Sequence, residues 1–109
     1  MVRLCLNMLR LSANRPSSAG YIASAASALA RFASVLARAG RPEIAARLLT
    51  RADALHDEVG FAVEPWIARM NKQTRVDIRT QIDEPAVAQA REQGRALTVD
   101  DAVALALGV

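Results

Sequence analysis

Cysteine is almost missing from this chain. Cys5 is the only one, so no internal disulfide and no cysteine metal cluster can form. A reducing cytoplasm is then the expected compartment. Histidine is equally scarce. His56 stands alone, and Ala52 and Gly60 occupy the positions four residues away where a helical metal partner would sit. Asp53 is the nearest acid one turn earlier. A histidine near a helix C-terminus meets a favourable dipole, and that reading is preferred over a ligand or acid–base role. No cofactor and no metal are expected.

Aromatics are few: Tyr21, Phe32, Phe61 and Trp66. The hydrophobic share of 52% is therefore largely aliphatic and alanine. Alanine contributes little buried area per residue. A core that lean predicts close helix contacts and a unit that leans on neighbours, either further repeats or another chain. No apolar run is long enough to span a bilayer. The stretch Met1–Leu11 is broken by Arg3, Asn7 and Arg10, too polar for a signal-peptide core. No membrane contact is expected.

Acids are absent from residues 1–42, which carry six arginines; the first carboxylate is Glu43. Residues 43–109 reverse the balance with eleven acids against eight bases. The six arginines are spread thinly and form no cluster, so they give weak support to nucleic-acid contact. Such a front also resembles a mitochondrial transit peptide. Against that stands the continuous helical pattern of Tyr21–Ala39, which the next segment needs as a packing partner. Thirteen arginines against the single Lys72 point to GC-rich bacterial coding.

What the chain does have is helical punctuation. Gly20, Gly40 and Gly60 fall twenty residues apart, with an amphipathic stretch in each interval. Residues 1–16 read as a short helix or ragged end, with Leu4, Met8 and Leu11 on one face. Residues 17–109 read as one helical domain. Asn14 to Ser18 break the chain around Pro16. A helix is predicted from about Ser18 to Ala39, its apolar face being Ile22, Ala25, Ala26, Leu29, Phe32, Ala33 and Leu36. Arg31 and Arg38 are spaced for the opposite side.

Gly40 suits the left-handed turn that ends a helix, and Pro42 with Glu43 suits the start of another. That second helix is predicted over Pro42 to Val59, with Ile44, Ala45, Leu48, Leu49, Ala52, Leu55 and Val59 inward. Gly60 stops it. A third and more polar helix is predicted from Pro65 to Gln81, with Ile67, Met70, Thr74, Ile78 and Ile82 inward. A fourth spans about Pro85 to Gln93, ended by Gly94. Thr98 and Asp101 then form a capping box for a last helix, with Val99, Ala102, Val103 and Ala106 inward. Capping explains Asp100 and Asp101 better than paired acid–base chemistry does. No segment alternates with period two, so the fold class is all-α, with about five helices.

The pair around Gly40 resembles a tetratricopeptide-type repeat. Ala33 and Ala45 stand where such a repeat takes small residues, Leu36, Leu49 and Ala52 continue the faces, and Gly40 is the turn. The proline that closes the motif has no counterpart near Asp57. A second resemblance rests on Pro42-Glu43-Ile44-Ala45-Ala46-Arg47-Leu48-Leu49 through Gly60. It also rests on Ala88 to Ala106, above all Gly94-Arg95-Ala96-Leu97-Thr98 leading into the capped helix. These segments are similar to the C-terminal part of the helical repeat region of actinobacterial LuxR-type ATPase regulators and their cyclase-domain relatives. The resemblance implies a sensing and docking scaffold. The chain lacks that family's Gly-x-x-x-x-Gly-Lys-Ser/Thr phosphate loop and any cyclase segment, so no catalytic residue carries over. It reads as a detached tail of such a regulator.

The functional expectation is therefore a non-enzymatic scaffold that meets another protein chain or a second copy of itself. Its expected contact residues are Leu4, Met8, Leu11, Phe61 and Trp66. Trp66 reads equally as a recognition anchor and as a lid over the hairpin. The competing reading is a small DNA-associated regulator. Arg69, Lys72, Arg75 and Arg79 share one helix face and could meet phosphates, although Glu64 and Asp77 offset them and no aromatic is interleaved. An enzyme is disfavoured, because no nucleophile–base pair is visible. Cys5 reads as a small apolar residue rather than a reactive thiol.

Overall fold

Glycine and proline set the helix boundaries much as the pattern predicts. The structure, a computed structural model, describes residues 19–60 and 63–108. The segment expected over residues 1–16, Cys5, the Leu4, Met8 and Leu11 edge, the side chain of Ile22, and Phe61 lie outside the described residues. Five helices are described: α1 (Ala19–Arg38), α2 (Pro42–Val59), α3 (Pro65–Arg79), α4 (Glu84–Ala96) and α5 (Val99–Leu107). There is no strand among the described residues, and the chain is all-α.

Gly40 and Gly60 both adopt positive φ, 81° and 70°, and each follows a helix. A side chain at either position would be strained, which is why glycine ends these helices. Pro42 and Pro65 each open a helix, where a missing N–H costs nothing. Asp83 caps α4 by accepting from the Ala86 amide at 3.1 Å. The box at α5 is closed both ways: Thr98 Oγ1 accepts from the Asp101 amide at 3.0 Å, and the Asp101 carboxylate accepts from the Thr98 amide at 3.2 Å.

The α1–α2 hairpin is the centre of the molecule. Ala25, Ala26, Leu29, Phe32, Ala33 and Leu36 of α1 are buried, as are Ala45, Leu48, Leu49, Ala52 and Leu55 of α2. Alanine makes up more than half of the buried apolar residues among those described. Small side chains allow a close approach of two helices, and this pair has the most extensive contact of any described helix pair. The other three helices rest on it. Helix α3 lies mainly on α1, α4 mainly on α2, and α5 touches both. Helices α3 and α4 make little contact with each other.

Three sequence expectations are corrected. Gly94 does not end the fourth helix; α4 runs through it to Ala96. Gly94 is buried, and a Cβ added there would lie 2.6 Å from the Arg47 carbonyl oxygen and 2.9 Å from the Thr50 Cβ. Only a residue without a side chain lets α4 lie so near α2. The third helix stops at Arg79, short of Gln81. The Gln81 side chain turns back instead, donating to the carbonyls of Ala37 (2.7 Å) and Asp77 (2.9 Å). It thereby ties the end of α3 to the end of α1. The inner face of α3 is Ile67, Asn71, Thr74 and Ile78, while Met70 and Ile82 are only half-buried. Thr74 tolerates burial because its hydroxyl donates to the Met70 carbonyl at 2.8 Å.

Candidate functional site

Because α3 and α4 sit on different helices of the hairpin, a cleft opens between them over α2. Its volume is about 330 Å³. Ligand pockets begin at about 300 Å³, so the space is small but sufficient for a side chain or two. Three helix faces line it, each at helical spacing. Helix α2 gives one continuous stripe from Ala46 to Asp57. The buried side chains of Leu49, Ile78 and Val87 form an apolar floor, one from each helix.

Four arginines and two aspartates surround that floor. Arg75 and Arg79 come from α3, Arg91 and Arg95 from α4, and Asp53 and Asp57 from α2. Arg75 donates to the Asp53 carboxylate at 2.8 Å. Arg79 donates through Nε to Glu84 at 2.9 Å, and Arg95 to Glu92 at 3.0 Å. Arg91 pairs with no carboxylate among the described residues. All three pairs are well exposed, the Arg75 and Asp53 side chains at 44% and 41%. Such pairs contribute about 0.2–1 kcal/mol each, so they position the guanidinium groups more than they stabilise the fold.

The residues singled out from sequence are distributed as follows. Of the basic stripe, Arg69 and Lys72 are exposed, whereas Arg75 and Arg79 line the cleft and already face carboxylates. Trp66 is 40% exposed at the start of α3. At that exposure it does not lie over the core. The Arg31 guanidinium lies 4.8 Å from its ring centroid, and its indole N–H donates to Glu64. Arg31, expected on the outer side of α1 beside Arg38, is thus drawn onto the tryptophan as a cation–π partner. Arg38 is exposed.

His56 lies in the last turn of α2 and is buried, its carbonyl accepting the Gly60 amide. No cluster of three metal-ligating side chains occurs among the described residues. No described helix is long and apolar enough to cross a membrane.

Arg91 and Arg95, and the pairing of Asp53 with Arg75, join the site only in the folded chain. A signal was present. Val87, Arg91 and Arg95 recur every four residues, which puts one apolar and two cationic side chains on a single face of α4. The three-helix convergence carries no signal within any one segment. In comparisons with known proteins, no family model matches this chain, and neither a curated protein nor a solved structure matches it.

Proposed function

We propose that this chain is a non-enzymatic docking module, a helical scaffold whose cleft between α2, α3 and α4 receives a segment of another protein. One observation carries the reading: a cleft of about 330 Å³ with a buried apolar floor and a rim of four arginines. An apolar pocket with a few convergent polar groups is the default binding site of a fold. The similarity to the helical repeat region of LuxR-type ATPase regulators points the same way, since it implies a docking scaffold.

The DNA-associated reading comes second. Asp53 and Glu84 already engage two of its four cations, Arg75 and Arg79. The charge left for phosphates on that face is reduced accordingly.

The test is a selection of binding peptides from a random display library, followed by Ala54→Trp. Ala54 is a half-buried lining residue, so the larger side chain fills the cleft without entering the core. Selected peptides should lose binding by tenfold or more, on the order of 1.4 kcal/mol. Peptides that bind the variant unchanged would place the docking surface elsewhere.

A further inference from the structure

We propose that the segment taken by this cleft is acidic: a short peptide stretch with at least two carboxylates flanking an apolar side chain. The proposal rests on the docking reading above and names its ligand. Four guanidinium groups line the space with two aspartates, and Glu84 and Glu92 pair with two of the four from outside the lining. Each guanidinium has five N–H donors, and the described ion pairs use one atom of Arg75, Arg79 and Arg95 apiece. Arg91 is held by no carboxylate among the described residues. Most of the donor capacity is therefore open to a ligand. The exposed internal pairs are also weak enough for an incoming carboxylate to share or displace them.

Spacing supports a peptide over a single anion. Arg75 and Arg79 are four residues apart on α3, as are Arg91 and Arg95 on α4, which separates each pair by about 6 Å along its axis. The floor of Leu49, Ile78 and Val87 lies within the same space and matches one apolar side chain. A nucleic acid fits less well. No aromatic lines the cleft to stack a base. Nor does the front of this chain fit, since residues 1–42 carry six arginines and no acid.

Fluorescence anisotropy with a labelled synthetic peptide of alternating glutamate and leucine pairs tests this. A second peptide carries glutamine at every glutamate. The acidic peptide should bind at low salt and weaken in about 0.5 M salt. It should lose about tenfold or more in affinity with Arg91→Glu and Arg95→Glu combined. Arg69→Glu with Lys72→Glu, off the cleft, should change it by less than about twofold. Equal binding of the glutamine peptide at the cleft would overturn the acidic ligand and leave docking standing. Binding of neither peptide, with an empty display selection, would overturn both. Direct binding of labelled duplex DNA, lost in the Arg91 and Arg95 variant, with no binding of the acidic peptide, would overturn it in favour of phosphate. Circular dichroism of each variant checks that the fold is kept.

Discussion

The α1–α2 hairpin and the α3–α4 side are made of similar helices, but they pack differently. In the hairpin, Ala33, Ala37, Ala45 and Ala52 are fully buried, and large side chains such as Leu29 and Leu48 fill what remains. On the other side, α3 and α4 do not close on one another. Their facing charged residues are arginines, set beside the aspartates of α2 and around a small apolar floor. Guanidinium groups keep their heads in water, so two helices that face each other through them stay apart. The lesson is a division of labour. One seam is apolar and closed; the other is charged and open.

That contrast can be broken by substitution. Leu48→Ala should have the largest effect. The side chain is fully buried, and removing it leaves a cavity in the hairpin. A loss of about 2–5 kcal/mol is expected in urea unfolding. A smaller loss, below about 1 kcal/mol, would mean that the hairpin is not the stabilising half.

Gly94→Ala comes next, because it tests the contact that joins the two regions. The new methyl would meet the Arg47 backbone at 2.6 Å, which α4 can relieve only by moving off α2. Overpacking costs about 1–3 kcal/mol. Removing glycine from a helix interior returns about 0.5–1 kcal/mol. The net should be a loss visible in thermal melting, and unchanged or raised stability would show that α4 is free to shift. Asp53→Ala should have the smallest effect. It removes an exposed partner of Arg75, so stability should fall by less than about 1 kcal/mol, and less still at high salt. A larger loss would make the cleft wall part of the structural core.

Much of the fold was legible in single residues. Pro42 and Val59 bound α2 where the pattern put them, and Thr98 and Asp101 cap α5 as expected. Each signal acts within one turn of helix, where backbone hydrogen bonds and dihedral limits decide. The candidate site was legible only in part. Arg75 and Arg79 stand out in the sequence as members of a basic stripe, whereas Arg91 and Arg95 do not. A stripe on one helix says nothing about which helix faces it. Trp66 shows the same limit, because its partner Arg31 lies on another helix.

The amino-acid sequence alone determined the helices, their caps and turns, and the alanine-lined face that pairs α1 with α2. Local sterics and the 3.6-residue period are enough for that. Only the tertiary structure decided that Gly94 is a packing residue, that Asn71 lies inward in α3, and that four arginines from two helices share one cleft. Those outcomes depend on distances between segments far apart in the chain, and no local pattern encodes such distances.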